Sequence, residues 1–278
     1  MELETLIKNP KLPSLPEVFL KLNELVNNNA TFKEIAAVII TDTSLSARTL
    51  ELANSAWYGQ QKKIDSIDYA LTTIGTAALQ QLVLATSVTR IFQGIEIKFI
   101  DLNAFWQHSL KFACHAQTVA SKVSKQDAVR LFTCGILCQI GKLVIYISEP
   151  ETSADILRKC EERKMPQYII ENDILGFNHS DISAALLKDW LLPNTIYSPI
   201  QYYLYPSKQA KADRQDSSIL NVAYFIQSEL GNLADQIVPI DKEVNAALKL
   251  TGLGKTEFPD IREVSEKLYD TSALLVGL

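Results

Sequence analysis

The segment "RLFTCGILCQIGKLVIY", residues 130–146, decides the fold class of this chain. Its apolar residues recur at the spacing of a buried helix, and we predict one long helix over 125–148. The same run carries Cys134 and Cys138, four residues apart, followed by Gln139. These residues are either a metal or redox site or an ordinary helical core, and the choice bears on whether the protein is an enzyme.

Helical periodicity continues along nearly the whole chain. Residues 93–103 lack it and separate two groups of helices. We therefore predict an all-α fold with two helical lobes, residues 1–97 and 98–278. The expected helix starts are marked by capping residues, namely Ser14 with Glu17, Thr31 with Glu34, Ser66, Asn103, and Ser124 with Asp127.

The composition is that of a globular protein, with 278 residues, 47% hydrophobic residues, 21% charged residues and a net charge of -5. Lysines and arginines alternate with acids, as in "LRKCEERK" at 157–164. A nucleic-acid binder usually has a basic face, so we expect no nucleic-acid partner. The start of the chain is too charged for a signal peptide, and we expect no membrane span and a cytoplasmic location.

The cysteine pattern favours a packing role in the helical core over a metal or redox site. Structural zinc usually takes about four ligands from two paired motifs, and a redox pair is normally spaced C-x-x-C. Buried free cysteine behaves as a small hydrophobic residue, which is how we interpret the pair. We expect reduced thiols in helices at all four positions, Cys114, Cys134, Cys138 and Cys160.

The histidines are few and widely spaced. His108 and His115 lie seven residues apart, about two helical turns or roughly 10 Å, so one ion cannot be held by both without other ligands. We interpret His115 as a hydrogen-bonded core imidazole. For His179, at the start of a helix, a capping role and a functional role both stay open. No phosphate-binding glycine loop and no G-x-S-x-G motif is present.

Six stretches, in this order, carry a resemblance to a known family. They are "LPSLPEV" at 12–18, "ANSAWYG" at 53–59, "SIDYALTTIG" at 66–75, "FWQHS" at 105–109, "GILCQIGKL" at 135–143 and "GFNHSDISAALLKDWLLP" at 176–193. Over residues 12–205 the chain resembles the HDOD family, the HD-related output domain. The resemblance implies an all-α, HD-domain-like fold and a bacterial regulatory role, here as an adaptor without a fused domain.

The family is a degenerate relative of the HD metal-dependent phosphohydrolases. Those enzymes hold one or two divalent ions with histidines and aspartates, including an adjacent His-Asp pair, and activate water. The resemblance implies that His108 matches the first histidine and that "CQIGKL" matches "HDIGKL". The vestigial metal-site positions are therefore His108, Cys138, Gln139, Tyr203, Leu204 and Tyr224.

The replacements at the His-Asp pair are unfavourable to a metal. Gln139 offers a neutral amide, whereas magnesium and manganese prefer anionic oxygen ligands. Cys138 would have to lose its proton in an apolar setting that raises the thiol pKa. We therefore expect no bound metal, no cofactor and no catalytic residues.

Three functions compete. The first is a non-catalytic signal-transduction module that binds a protein partner or a small ligand in a cleft near His108, Gln139, His179 and Tyr203. A filled core in place of that cleft stays an open alternative. The second is a metal-dependent phosphohydrolase acting on a phosphodiester or a nucleotide, and the third is a nucleic-acid adaptor. We also predict that Asn54 is buried and hydrogen-bonded, and that it shares with Tyr58 a helix contact or a partner surface.

Overall fold

The computed structural model describes residues 2–54, 63–93, 95, 97, 100–123, 128–228 and 242–276. Within these ranges the chain forms α-helices and short 3-10 turns and no strand, which confirms the all-α prediction. The helices are α1 Leu3–Ile7, α2 Glu17–Asn27, α3 Phe32–Ile40, α4 Thr43–Ala53, α5 Ile67–Gln93, α6 Leu102–Val123, α7 Ala128–Leu137, α8 Ile140–Ser148, α9 Pro150–Arg163, α10 Gln167–Leu175, α11 His179–Asp189, α12 Asn194–Tyr202, α13 Arg214–Ser228, α14 Lys242–Thr251 and α15 Phe258–Val276.

The chain divides into two compact units. The smaller unit runs from Ser14 to Ile95, contains α2–α5, and includes the end of the chain from Asp270. The larger unit contains residues 1–13 and 96–269. The expected split at residue 97 assigned residues 1–13 to the first lobe, but they belong to the larger unit. The reason is that α1 packs on α8 and α11 and buries Leu6 there.

The smaller unit buries one face of each of its helices, with Leu22, Ile35 and Ile39 fully covered. The Thr31–Glu34 capping box is confirmed, because the Thr31 side chain accepts from Glu34 and the Glu34 carboxylate accepts the Thr31 amide at 2.8 Å. The capping box expected at Ser14 is wrong, since Pro16 occupies the cap of α2 without a side-chain hydrogen bond.

Helix α5 is interrupted where the sequence has Gly75. That residue has φ 78° and ψ 161°, and helical geometry resumes after it. A glycine takes this left-handed φ without the steric cost of a Cβ. Helix α5 therefore consists of two helical segments that meet at a kink at Gly75, and the second segment ends at Gln93.

Two helical segments, Ile67–Gln93 and 128–148, are long and apolar enough to cross a membrane by length and composition. The expectation of no membrane span stays a prediction. In the second segment, 89% of the most apolar window is buried inside the protein, as in a core helix. Length and composition alone are weak evidence for a membrane span.

The larger unit is built around α6, which packs against α7 and α13. A Cβ at Gly135 of α7 would lie 2.6 Å from the Cα of Ala113 on α6, so the two backbones touch. Asp101, rather than the expected Asn103, caps α6, because its carboxylate accepts the amides of residues 103 and 104. The expected caps Ser124 and Asp127 lie outside the described residues.

Candidate functional site

The helix predicted over 125–148 is broken at Cys138 and Gln139, which lie between α7 and α8. The break has a long-range cause on α11. The Ser183 hydroxyl accepts the Gly141 amide at 2.8 Å and donates to the Cys138 carbonyl at 2.9 Å. A side chain 42 residues away thus replaces part of the helical hydrogen bonding.

Gly141 allows this close approach. A Cβ at this position would lie 2.1 Å from the carbonyl oxygen of His179, well inside van der Waals contact. The glycine therefore holds the Cys138–Gln139 turn against the beginning of α11. This contact brings three of the predicted site residues into one neighbourhood.

Both turn residues are buried in the larger unit, with Gln139 1% exposed and Cys138 fully covered. Burial, reinforced by the neighbouring Cys134, raises the pKa of the Cys138 thiol well above its usual value. Burial also raises the pKa of Cys134 to about 12. Both sulfur atoms are therefore neutral thiols at pH 7, poor as nucleophiles and as metal ligands. The Cys138 position is a turn, which corrects the expectation that all four cysteines lie in helices.

His179 is the centre of a buried hydrogen-bonded triad. Its Nδ1 lies 2.6 Å from Glu171 Oε2, and its Nε2 lies 2.7 Å from the Tyr203 hydroxyl. Its backbone amide donates to the same carboxylate oxygen at 2.8 Å. All three residues are fully buried, so α10, α11 and the end of α12 are joined through polar groups that are removed from water.

The charge of the triad is balanced inside the protein. Burial alone raises the pKa of Glu171, but the charges of His179 and Lys142 and hydrogen bonds from His179 outweigh it, so the pKa is lowered. Glu171 is therefore ionised at neutral pH. The Gln167 amide donates to Glu171 at 2.9 Å and contacts the Tyr146 hydroxyl at 3.1 Å, which satisfies the carboxylate further.

Aromatic rings fill the space beside the triad. Tyr203 and Tyr224 meet edge to face with centroids 5.4 Å apart, and Phe112 lies within 5.9 Å of both. Leu204 is also buried. At these positions, within the described residues, the interior is packed with side chains, which favours the filled-core alternative over an open cleft.

His108 lies one helical turn before Phe112 on α6 and is half-buried. Its carbonyl accepts the Gln227 side chain at 3.0 Å. The contacts that tie the candidate site together run through His179, Tyr203 and Tyr224. His108 is related to this group only through α6, the helix that also carries Phe112.

These positions do not fit a divalent metal ion. Both imidazole nitrogens of His179 are engaged by Glu171 and Tyr203, and the remaining groups are neutral or apolar. Across the part of the chain that the structure describes, no three histidine, cysteine, aspartate or glutamate side chains form a ligand group. The chemistry available to the arrangement is proton sharing within the triad.

Two other sequence predictions need correction. His115 is buried as expected, but neither ring nitrogen has a hydrogen-bond partner within the described ranges. Burial, together with the nearby charge of Arg262, lowers its pKa to about 4, so the ring is neutral. Asn54 is exposed rather than buried, although its amide bonds both backbone groups of Ile64 at 2.7 Å. Tyr58 lies outside the described residues.

Sequence reasoning missed Glu171, Lys142 and Ser183. A weak signal existed for the first, since Glu171 stands in the largely apolar run "YIIENDIL", eight residues before His179, where Asp173 is the other acid. A charged residue on an apolar face is usually paired when it is buried. No local pattern marks Ser183, because its partners lie on a distant segment.

A comparison with family models places most of the chain in one family. The model described as HDOD domain matches residues 12–206. A curated relative, an uncharacterized protein of Treponema pallidum, is 25% identical over 194 residues. That alignment covers 69% of this chain but only 37% of the relative, so the chain spans little more than a third of that relative's length.

Solved structures agree with this fold. A "Putative phosphohydrolase" of Shewanella amazonensis has a TM-score of 0.74 and 26% identity, with 99% of this chain and 97% of that chain covered. An HDOD domain protein of unknown function from Geobacter sulfurreducens has a TM-score of 0.75 at 21% identity, with 98% and 96% covered. A "Putative signal transduction protein" of Marinobacter aquaeolei has 0.73 at 20% identity, with 99% and 64% covered.

Proposed function

We propose, from the premise that the chain belongs to the HDOD domain family, that it is a non-catalytic regulatory module of bacterial signal transduction. It acts by binding a protein partner or a small ligand in the cytoplasm. The likeness in fold to the "Putative signal transduction protein" of Marinobacter aquaeolei supports this proposal.

One observation carries the non-catalytic part of the proposal. The imidazole of His179, the one histidine in the buried triad, has both nitrogens engaged, by Glu171 and by Tyr203. A metal could be bound there only by breaking a buried hydrogen bond, which leaves a desolvated polar group unpaired. The neighbouring Cys138 thiol and Gln139 amide supply no anionic ligand in compensation.

The proposal is tested by metal analysis and hydrolysis assays on the same preparation. The purified chain is incubated with manganese or magnesium, desalted, and analysed for bound metal. It is then assayed with phosphodiester and nucleotide substrates. We expect less than stoichiometric metal and no turnover above a blank with metal alone.

The competing phosphohydrolase function predicts the opposite result, and the name of the Shewanella amazonensis relative is the observation in its favour. The variant Gln139→Ala separates real activity from contaminating hydrolases. Turnover that is lost in this variant, together with one or two equivalents of metal, would refute the non-catalytic proposal. Turnover that is the same in both proteins belongs to a contaminant.

Partner binding needs a separate experiment. The tagged chain is used for affinity capture from its native host, and any stoichiometric partner is purified and mixed with it again. We expect a complex that reforms from the two purified components. If no protein and no small molecule binds reproducibly, the module has no partner and the proposal fails.

A further inference from the structure

A small pocket in the smaller unit lies outside the candidate site. It has a volume of about 50 Å³ and is bordered by α4 and the second half of α5, with Leu45 and Val83 in its apolar wall. A water molecule needs about 10–15 Å³ of such space, so the pocket has room for roughly four water-sized groups. That is the size of one tetrahedral oxyanion.

Two arginines, Arg48 and Arg90, are among the residues that line this pocket. Arg90 donates to the Ser44 hydroxyl at 2.8 Å and lies 3.4 Å from Asp42 Oδ2. Because a guanidinium carries five N–H donors, these two contacts leave about three of them available. Arg90 is also half exposed, so its free donors are accessible from solvent.

Arg48 differs from Arg90 because one of its guanidinium nitrogens is buried without a partner among the described residues. Its Nη1 is buried and has no hydrogen-bond partner in the part of the chain that the structure describes. Burial and the adjacent charge of Arg90 lower its pKa, and the acids Glu51 and Asp42 offset these effects only in part. A buried guanidinium nitrogen without an acceptor is costly unless an acceptor arrives from outside the chain.

The carboxylate of Asp42, which lines the pocket, already has hydrogen-bond partners within the chain. Asp42 Oδ1 accepts the amides of Ser44 and Leu45 at 2.9 and 3.0 Å and so caps α4. Its other oxygen faces Arg90. Among the residues that line the pocket, two arginines share one carboxylate, and Glu51 acts on Arg48 from outside the lining.

We propose that this pocket binds a phosphate group, held between Arg48 and Arg90. Guanidinium groups present donors in a planar fork that matches the oxygens of phosphate, and the apolar walls strengthen the contact by limiting water. The site lies entirely within Ser14–Ile95 and shares no residue with the candidate site, so it stands apart from the proposed function.

The test measures binding of inorganic phosphate and of adenosine monophosphate to the full chain. Calorimetry and thermal unfolding are run at pH 7.5, with sodium chloride at equal ionic strength as the reference. We expect saturable binding of phosphate and a rise in melting temperature that chloride does not reproduce. Binding of the nucleotide as well would identify a phosphate monoester as the ligand, and binding of phosphate alone would identify the free anion.

Variants assign the effect to the pocket. Arg48→Met keeps the length of the side chain and removes its donors, and we expect phosphate binding to weaken about tenfold or more. Arg158→Met removes the same charge from an exposed position on α9 and leaves binding unchanged. Ser87→Glu places a carboxylate in the pocket and should abolish phosphate binding while raising the melting temperature without phosphate.

The proposal is overturned if the wild-type chain binds neither ligand beyond the chloride reference. It is also overturned if Arg48→Met and Ser87→Glu, both folded by circular dichroism, bind phosphate as the wild type does. Should Arg48→Met fail to fold, Ser87→Glu and the wild type decide the question without it.

Discussion

At the scale of single residues, burial decides which side chains carry charge. His115 is 3% exposed and lacks hydrogen-bond partners among the described residues, so its ring stays neutral in the folded state. Burial, with a contribution from Arg262, lowers its pKa from 6.5 to about 4. Protonation therefore favours the unfolded chain, in which the ring is solvated.

Because the pKa of His115 differs between the folded and the unfolded chain, the free energy of unfolding depends on pH. The contribution of His115 is complete above pH 6.5 and is lost as the pH falls toward about 4. The loss amounts to about 3 kcal/mol in the free energy of unfolding. Urea unfolding of the wild type and of His115→Leu between pH 7.5 and 4 measures it, and the variant should lose that much less.

The matched control is Gln107→Leu, which places the same new side chain at an exposed position of the same helix without removing a titratable group, and it should keep the wild-type pH dependence. If His115→Leu and the wild type lose stability in parallel over this range, the buried neutral imidazole is not the cause.

Glu171 is an acid, and its contribution to stability changes over a different pH range from that of His115. Its lowered pKa means that the ionised carboxylate stabilises the fold above its ordinary value of 4.5, and that this contribution is lost as the pH falls below it. At pH 7 Glu171→Gln removes the buried negative charge that acts on Lys142 and that is hydrogen-bonded to His179. We expect a loss of about 3–5 kcal/mol in the free energy of unfolding.

Urea titrations at pH 7 and pH 3.5 check this prediction. The gap between Glu171→Gln and the wild type should narrow at the lower pH, where the carboxylate gains its proton in the unfolded chain. Glu161→Gln, at an exposed position on α9, should change the free energy by less than about 0.5 kcal/mol. An equal gap at both pH values would show that the carboxylate charge is not what stabilises the triad.

At the scale of elements, a long-range contact overrides helical periodicity. The apolar spacing predicts one helix over 125–148, and the structure has α7 and α8 with a turn between them. The turn forms where the Ser183 hydroxyl bonds to the backbone of Cys138 and Gly141. Periodicity reports which face is buried, but it carries no information on which helix covers that face.

Gly141→Ala tests how tightly α8 and α11 are joined. The added Cβ would lie 2.1 Å from the His179 carbonyl and 2.9 Å from the Ser183 amide, both backbone atoms that cannot turn aside. We expect a loss of about 3 kcal/mol or more in the free energy of unfolding, measured in urea.

Gly254→Ala is the comparison for this variant, because the nearest atoms to its new Cβ are side-chain atoms at 3.3 and 3.7 Å that can move. Equal effects of the two substitutions would mean that the helix contact at Gly141 relaxes freely, contrary to the geometry.

At the scale of the whole molecule, the polar groups of the candidate site satisfy one another. Glu171 is bonded by Gln167 and His179, and His179 is bonded by Tyr203. A protein whose fold depends on a metal ion is destabilised by chelators, because the binding energy of the ion is part of its folding energy. We expect EDTA to leave the melting temperature unchanged, and a fall of several degrees would contradict this account of the site.

The sequence by itself determined the helical class and the Thr31 capping box. These features are local, and local spacing and side-chain chemistry fix them. Only the tertiary structure decided the turn at Cys138, the bonding of His179 to Glu171 and Tyr203, and the unpaired donor of Arg48. These features depend on which distant groups meet and on how much water is excluded, and no residue pattern along the chain records either.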